Sequence, residues 1–313
     1  MKKISIVLPV YFEEKVVNTT YSRVKDVLSK ISYDYEIIFV NDGSGDQTLK
    51  FLKEIACGDK TVKIISFSRN FGHQIAVTAG IDAATGDAVI IMDADLQDPP
   101  ELIIEMLKKW EQGYEVVYGK RKRRYGEPFL RKTAFLIFYR LLNKLTDIKI
   151  PLDTGDFRLI DKKIKNDLLR MREKNRFVRG IISWLGYRQT FIEYERPGRY
   201  AGETKYPFKK LLKLALDGIT SFSVYPLKIA LNIGFFSIII ALVLFIYAMA
   251  SYIFFPKITP AGWTSVLISI IFFGGVQLFT IGIIGEYIGR IFEESKNRPI
   301  YIVDEKINFE EKE

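Results

Sequence analysis

Two long runs without a charged residue constrain this 313-residue chain more than any other feature of its sequence. One covers residues 229–256 and the other covers residues 258–285. A helix that crosses a bilayer needs about 20 apolar residues, and helices of soluble proteins rarely lack a charged face over such a length. Two prolines and a glycine near the junction favour a short turn. The sequence therefore predicts a transmembrane hairpin, with spans at about 229–255 and 264–286.

Basic residues flank the hairpin. Lys228 precedes the first run, the turn holds only Lys257, and three basic residues follow the second run: Arg290, Lys296 and Arg298. Because lysine and arginine collect on the cytoplasmic side, both termini are predicted to be cytoplasmic, in a multi-pass protein of the inner (plasma) membrane. The N-terminus leads directly into a strand-like segment, so no signal peptide is expected. A single cysteine, Cys57, excludes an intrachain disulfide and fits a reducing compartment.

The segment before the hairpin alternates between strand and helix patterns. Short apolar runs predict five strands, at residues 4–8, 36–40, 62–67, 89–92 and 115–118. The segments between them have apolar residues at helical spacing, which predicts βαβ units and a Rossmann-like, mostly parallel α/β sheet. After residue 119 the pattern loosens into a polar turn that leads into a strand at 153–160, two helices, and a late strand at 188–194. The predicted organisation is a cytoplasmic domain at 1–205, a juxtamembrane amphipathic segment at 206–228, the two spans at 229–290 and a cytoplasmic tail at 291–313.

A set of polar side chains follows the fourth predicted strand. Asp93, Asp95 and Gln97 lie directly after the apolar run 89–92, and two prolines then stop the strand; we call residues 93–98 the acidic turn. Ligands of open α/β sheets bind at the carboxyl ends of the strands. Carboxylates two apart with an amide oxygen suit Mg²⁺ or Mn²⁺, and a cation held at so few points keeps positions for substrate phosphates.

Three other strand ends carry polar residues. Pro9, Tyr11 and Glu13 follow the first strand, Asp42 follows the second, and Asn70 follows the third. A tyrosine ring can stack on a base, and an aspartate can accept a hydrogen bond from a base or a ribose. Each residue alone is more often a turn former, but four coinciding strand ends predict a site for a nucleotide with a bound metal. The membrane hairpin and the acidic strand ends argue against nucleic-acid binding.

Longer motifs carry a family resemblance. In chain order, PVYFEE, VNDGSGDQT, SRNFGHQIAVTAG, DADLQDPPE and TGDFRLID resemble the polyprenyl-phosphate glycosyltransferases. These are family-two enzymes of the GT-A fold that include dolichol-phosphate mannosyltransferases and bactoprenol glucosyltransferases. The resemblance covers the whole chain and is closest to the bacterial bactoprenol-phosphate enzymes, which also share GDFRL, SWLGYRQTF, LALDGITSFS, GGVQL, IGEYIGR and RPIYIV. The motifs are specific for the superfamily and much less so for the sugar.

The resemblance implies roles for individual residues. The implied contacts to the nucleotide sugar are Pro9, Tyr11, Glu13, Asp42, Asp93, Arg121 and Arg131. Asn70 is added to this predicted site from its position at the third strand end. The implied ligands of Mg²⁺ or Mn²⁺ are Asp93, Asp95 and Gln97. The implied contacts to the lipid phosphate are Arg199 and Lys205. One departure is Phe12, which stands where the family commonly has asparagine.

Asp156 and Asp95 are the predicted catalytic residues. Asp156, in GDFR, is our candidate for the residue nearest the sugar, where it either orients a hydroxyl or acts as a base; the structural alternative is an aspartate that caps a buried turn. His73, the only histidine, is predicted to start a helix near the sugar. The lipid phosphate is already anionic and hardly needs a base, so it chiefly needs positioning.

The implied reaction is the inverting transfer of a hexose to undecaprenyl or another polyprenyl phosphate, for modification of cell-surface glycans such as O-antigen. UDP-glucose is the expected donor; GDP-mannose or a UDP-aminosugar remains open. A second hypothesis is a non-catalytic nucleotide-sugar-binding scaffold at the membrane. A third, a dinucleotide-dependent dehydrogenase, is disfavoured because no G-x-G-x-x-G follows the first strand. Glycines in the hairpin permit close helix contacts and hence a homo-oligomer.

Overall fold

The computed structural model describes residues 2–122, 154–195, 223–254 and 262–309. The chain divides into two compact units. The first, which we call the sheet unit, combines the chain before the hairpin with Pro299–Glu313. The second, the helical unit, contains the described residues from 223 to Arg298. The predicted boundary at residue 205 lies outside the described residues.

One mixed sheet of eight strands forms the sheet unit, in the order β7-β5-β6-β4-β1-β2-β3-β8. The strands are β1 (Lys3–Val10), β2 (Asp34–Asn41), β3 (Val62–Phe67), β4 (Ala88–Ile91), β5 (Val116–Arg121), β6 (Thr154–Asp161), β7 (Gln189–Tyr194) and β8 (Val303–Ile307). Strands β1 to β4 are parallel neighbours, and β5 is parallel to β7. Strand β6 runs antiparallel to β4 and β5, and β8 runs antiparallel to β3. The predicted α/β fold with a mostly parallel sheet is confirmed.

Helices connect the parallel strands, as parallel pairing requires. They are α1 (Val17–Leu28), α2 (Thr48–Gly58), α3 (His73–Ala83), α4 (Leu102–Glu111), α5 (Lys162–Arg170) and α6 (Val178–Trp184). Strand β1 lies at the centre of the sheet, and every residue of it after Lys3 is buried. Such an uninterrupted apolar strand is covered on both faces, which is why its sequence shows no alternation. Helix α3 packs against β1 and β2 and thereby brings its N-terminus to the carboxyl ends of these strands.

One local prediction was wrong, and another is confirmed. Strand β1 does not end before Pro9 but continues to Val10. Its pairing with β4 ends where Val7 lies opposite Ile91, so the missing N–H of Pro9 interrupts no bond on that side. The strand predicted within 153–160 is confirmed as β6, which already begins at Thr154. Asp156 is therefore a strand residue, and the alternative that it caps a turn is excluded.

The last strand belongs to a segment that the sequence indicated only as a tail. Strand β8 pairs with β3, and the backbone N–H of Ser68 donates to the carbonyl oxygen of Ile302 at 3.2 Å. The amide of Asn308 donates to two backbone carbonyl oxygens, at 2.8 Å each. The ring of Tyr301 stacks on Phe67 with centroids 5.1 Å apart. The chain therefore returns after the hairpin and covers an edge of the sheet that would otherwise expose unpaired backbone groups.

The helical unit consists of α7 (Tyr225–Phe254) and α8 (Trp263–Ser295), which pack against each other. Within them, Tyr225–Tyr247 and Ile268–Ser295 are long and apolar enough to cross a membrane, with mean hydropathies of 2.8 and 2.0. Large apolar side chains cover the outside of both helices; Leu231 and Leu278, for example, are 73% and 72% exposed. Both predicted spans thus coincide with helices whose surfaces suit a hydrocarbon environment.

Candidate active site

The polar strand ends meet at one edge of the sheet, as the sequence predicted. Because β1, β2, β3 and β4 are parallel, the residues that follow them leave the sheet on the same side. Strand β6 runs the other way, and Arg158 lies opposite Ile91, the last residue of β4. The start of β6, with Asp156, therefore lies at the same edge.

The loops that follow β1 and β2 are joined by hydrogen bonds. The backbone N–H of Phe12 donates to Ser44 Oγ at 3.1 Å, and that of Glu13 donates to Thr48 Oγ1 at 2.9 Å. These bonds leave the rings of Tyr11 and Phe12 substantially exposed, in an edge-to-face pair with centroids 4.5 Å apart. Phe12 has a positive φ of 56°, a conformation that asparagine adopts far more readily. The pair forms an exposed aromatic surface on which a base can stack.

Asp42 is buried and organises the loop after β3. Its carboxylate accepts hydrogen bonds from the backbone N–H groups of Phe71 and Gly72, at 2.7 and 3.0 Å, and from Asn70 Nδ2 at 2.8 Å. Burial raises the pKa of Asp42, and these backbone bonds oppose the rise. The neighbouring Gly43 has a φ of +69°, and a Cβ there would lie 2.4 Å from the backbone of the facing loop. Asp42 and Asn70 thus bind each other here, and their contacts to a nucleotide stay predictions.

The acidic turn presents oxygen ligands beyond the end of β4. The backbone N–H of Gln97 donates to Asp95 Oδ1 at 3.1 Å, and Leu96 between them has a positive φ of 61°. The side chain of Asp93 is 27% exposed. No group of three or more His, Cys, Asp or Glu residues that could hold a metal occurs in the described part of the chain. Two carboxylates and an amide oxygen nevertheless fit Mg²⁺ or Mn²⁺, which are often held by one or two carboxylates together with substrate phosphates.

Arg121 is the last residue of β5, and the negative charges of the acidic turn act on its guanidinium group. Its Nε donates to Tyr194 Oη at 3.4 Å, and Tyr194 Oη donates to Asp98 Oδ1 at 2.6 Å. Burial lowers the pKa of Arg121, but Tyr194 and the charges of Asp98 and Asp93 outweigh it and raise the pKa. Gly155 makes room for the guanidinium group, since a Cβ there would lie 2.7 Å from Arg121 Nη2. The predicted phosphate-binding cation is thus placed beside the predicted diphosphate site.

Asp156 is enclosed by three side chains from two helices. Arg179 donates from Nε to Oδ1 at 2.7 Å and from Nη2 to Oδ2 at 3.0 Å. Gln74 Nε2 donates to Oδ2 at 3.2 Å, and His73 Nε2 lies 3.0 Å from the same oxygen. Burial raises the pKa of Asp156, but the charges of Arg179 and His73 and their hydrogen bonds hold it well below its ordinary value. Asp156 is therefore ionised at neutral pH.

His73 is the first residue of α3, as predicted, and it also lies near the acidic turn. Its Nε2 is 3.6 Å from Asp93 Oδ1. Burial lowers the pKa of His73, but the bond to Asp156 and the charges of Asp93 and Asp156 outweigh it and raise the pKa to about 9. Sequence reasoning missed Gln74 and Arg179. Gln74 lies inside the quoted motif SRNFGHQIAVTAG, whereas Arg179 has no local signal.

The remaining predicted residues lie outside the described part of the chain. They are Arg131, Arg199, Lys205 and the amphipathic segment at 206–222. Their predicted contacts to the phosphates of the donor and of the lipid stay predictions.

The sequence profile described as "Glycosyl transferase family 2" matches residues 5–169, which contain β1 to β6 and the polar strand ends. The chain belongs to glycosyl transferase family 2, so the predicted family is confirmed and the sheet is that of a GT-A glycosyltransferase.

Curated relatives extend the similarity into the hairpin. The uncharacterized glycosyltransferase YkcC of Bacillus subtilis is 53% identical over 98% of this chain and 95% of its own. The prophage bactoprenol glucosyl transferase homolog of Escherichia coli is 43% identical over 96% of this chain and 98% of its own. The bactoprenol glucosyl transferase of Shigella phage SfV is 42% identical over the same shares.

Solved structures resemble the chain more distantly. Glucosyl-3-phosphoglycerate synthase from Mycobacterium tuberculosis, in complex with Mn²⁺, UDP-glucose and phosphoglyceric acid, has a TM-score of 0.47 and 17% identity. The match covers 70% of this chain and 78% of that one. Residues 1–349 of TarS from Staphylococcus aureus give a TM-score of 0.41 and 18% identity, over 61% and 58% of the two chains. Similarities this distant support no statement about ligands.

Proposed function

We propose that this transferase moves glucose from UDP-glucose to undecaprenyl phosphate or a similar polyprenyl phosphate, with inversion at the anomeric carbon, at the cytoplasmic face of the inner (plasma) membrane. The observation that carries the proposal is the extent of the similarity. Relatives named bactoprenol glucosyl transferase align over 96% of the chain, which includes both the sheet unit and the hairpin. The exposed aromatic pair, the acidic turn and Arg121 supply the groups that a nucleotide sugar requires at one edge of the sheet.

The return of the chain into the sheet supports the proposed topology. The chain leaves the sheet unit before α7, and after α8 it contributes β8 to the same sheet. The hydrocarbon core of a bilayer does not admit an open sheet, so both ends of the hairpin must lie on one side. That requires an even number of crossings. The basic residues that flank the hairpin favour the cytoplasm for this side.

The chemistry of the site follows from charge. Departure of a nucleoside diphosphate places negative charge on the leaving group, and fixed positive charge aimed at that position stabilises the transition state by several kcal/mol. Arg121 is such a charge, held in place by Tyr194 and by the space beside Gly155. Asp93, Asp95 and Gln97 would hold a divalent cation, which would supply Lewis-acid stabilisation of the same leaving group.

The acceptor needs positioning more than deprotonation. A lipid phosphate oxygen is already anionic, so the transferase must hold it in line with the anomeric carbon at about 3 Å. The state of Asp156 agrees with this requirement, because a carboxylate with a depressed pKa that is bound by an arginine is a weak base. We therefore assign Asp156 to orientation rather than to proton transfer. Arg199 and Lys205 are proposed to bind the lipid phosphate.

A donor panel tests this function. The full chain in vesicles that contain undecaprenyl phosphate is given radiolabelled UDP-glucose, a UDP-aminosugar or GDP-mannose, with and without EDTA, and label is counted in the organic extract. We expect metal-dependent product with UDP-glucose. Product only with another donor would correct the sugar, and no product with any donor would favour the scaffold hypothesis.

Two variants distinguish a loss of catalysis from a loss of folding or membrane insertion. Asp95→Ala should abolish transfer while membrane insertion is unchanged, because it removes a predicted ligand of the cation and the diphosphate. Asp34→Ala is the matched control: it removes an exposed carboxylate at the opposite end of β2 and should transfer normally. Equal activity of the two variants would refute the assignment of Asp95.

A further inference from the structure

The carboxylate of Asp156 is buried and already binds several donors from the protein. Its side chain is only 9% exposed. Its Oδ2 is contacted by three donor atoms, one each from Arg179, Gln74 and His73, and its Oδ1 accepts a hydrogen bond from Arg179 Nε. Gln74 is fixed in turn, because its carbonyl oxygen accepts from the backbone N–H of Val178 at 3.2 Å. Oδ2 is therefore fully engaged within the protein, and the burial of the side chain leaves a sugar hydroxyl little access to Oδ1.

The imidazole of His73 is the accessible member of the same group. Its side chain is 33% exposed, compared with 9% for Asp156. Since the Asp156 carboxylate only accepts, Nε2 of His73 carries the hydrogen of their bond. Nε2 also faces Asp93, at 3.6 Å from Oδ1. Among the described residues, Nδ1 of His73 has no hydrogen-bond partner, so this polar atom remains for a ligand.

We propose that His73 contacts the transferred sugar of the nucleotide-sugar donor, and that Asp156 and Arg179 are positioning residues that act through His73. The inference rests on the proposed function and deepens it. The sugar is the group bonded to the diphosphate, and His73 lies beside Asp93 of the predicted diphosphate site. Sugar hydroxyls both donate and accept, so they can bind Nδ1 of His73 in either protonation state.

The proposed chain of contacts, from Arg179 and Gln74 through Asp156 to His73, explains why three side chains bind one carboxylate. Asp156 fixes the hydrogen and the ring orientation of His73 through Nε2, as a carboxylate does for a catalytic or metal-bound imidazole. Arg179 and Gln74 hold Asp156, and Gln74 also ties the start of α3 to the start of α6. The position of the imidazole is thereby determined by β6, α3 and α6 together.

The single histidine of the chain allows a direct test. Full-length protein labelled with ¹⁵N-histidine, carrying a tag without histidine and embedded in nanodiscs, gives the imidazole signals of His73 alone. UDP-glucose with Mg²⁺ and UDP with Mg²⁺ are titrated separately, with binding followed by calorimetry. UDP with Mg²⁺ changes the charge around Asp93 and should itself move the imidazole signals, so we expect UDP-glucose to shift the Nδ1 resonance clearly further than UDP does.

The possible results divide clearly. Equal shifts with UDP and UDP-glucose, or no shift although calorimetry reports binding, would overturn the inference. If calorimetry finds that another nucleotide sugar binds instead of UDP-glucose, the titration is repeated with that nucleotide sugar and its free nucleoside diphosphate. The inference is then judged by the same comparison of the two Nδ1 shifts. Absence of binding by every nucleotide sugar would refute the proposed function, and the inference with it.

A double-mutant cycle tests the order of action. His73→Ala and Asp156→Asn are each expected to lower kcat on the order of 100-fold, the scale of a 1 Å misplacement, while the affinity for UDP is retained. If Asp156 acts through His73, the double variant loses no more than His73→Ala alone. Multiplicative losses, or near-normal turnover of His73→Ala, would contradict the proposal.

Arg179→Lys tests the positioning role of the arginine. It keeps the charge but not the paired hydrogen bonds, so it should lower kcat less than Asp156→Asn does and move the His73 resonance in the free protein. Arg172→Lys is the matched control, since Arg172 binds Asp82 at 2.7 Å on an exposed surface and should leave both readouts unchanged. An unmoved His73 resonance in Arg179→Lys would refute the role of Arg179. If Asp156→Asn fails to fold, the titration of the native chain still decides.

Discussion

Glu36 should contribute a large, pH-dependent part of the stability of the sheet unit. Its carboxylate, at the opposite end of β2 from the site, is 2% exposed and binds Lys3 and Lys63 at 2.9 and 2.8 Å. It also accepts from Ser5 Oγ at 2.6 Å and from the backbone N–H of Thr85 at 2.6 Å. Burial raises the pKa of Glu36, but these bonds outweigh it and lower the pKa from its ordinary 4.5 to about 2.

The sign and size of the effect follow from this shift. The folded pKa of Glu36 is below that of the unfolded chain, so the stabilisation is complete well above pH 4.5 and is lost as the pH falls towards 2. A tenfold change in a protonation equilibrium is worth about 1.4 kcal/mol, so the lowering of the pKa corresponds to about 3 kcal/mol at pH 7. By the same linkage the contribution should be about 2 kcal/mol smaller at pH 3 than at pH 7.

Glu36→Gln measures this contribution. It should lower the melting temperature at pH 7 by about 6–12 °C, because 1 kcal/mol corresponds to about 2–4 °C in a domain of this size. The assay is thermal unfolding of the full chain in detergent, followed by tryptophan fluorescence, with Trp110 buried on α4. Glu101→Gln is the control: its pair with Arg23 is exposed and should be worth less than about 1 kcal/mol. Equal losses in the two variants, or a loss in Glu36→Gln that does not shrink between pH 7 and pH 3, would refute the reasoning.

Three further predictions concern the loops of the site. Gly43→Ala should destabilise the chain by more than about 1 kcal/mol, measured by thermal unfolding, because φ is +69° and the new Cβ would overlap the backbone of Arg69; an unchanged melting temperature would contradict the packing. Phe12→Asn should keep or raise the melting temperature, since asparagine relieves the cost of a positive φ, and should weaken UDP binding in calorimetry if the ring supports the base. Gly155→Ala should raise the Kd for the donor several-fold with little loss of stability, because the methyl group displaces only the flexible end of Arg121; a large loss of stability would instead indicate a backbone role.

The sequence predicted the elements whose signals are local. Apolar runs between helical segments identified β1 to β5, because a strand buried on both faces is continuously apolar. The two charge-free runs identified α7 and α8, because a helix long enough to cross a membrane needs about 20 consecutive apolar residues. The position of the acidic turn followed from the rule that parallel strands end on one side of the sheet. Strand β8 was missed, because it is a short edge strand whose residues alternate between half-buried and exposed and include three charged side chains.

Sequence by itself determined the fold class, the hairpin and the family, since apolar periodicity and contiguous motifs are written along the chain. Only the tertiary structure decided which groups remain accessible to a substrate. Asp42 and Asp156 carry the expected charges, but partners from other elements occupy their oxygens, whereas His73 keeps an exposed edge. Arg179 reaches Asp156 from another element, and nothing in its local sequence indicates this contact. Whether a carboxylate is open or saturated depends on donors brought to within about 3 Å by folding, and no pattern along the chain records that distance.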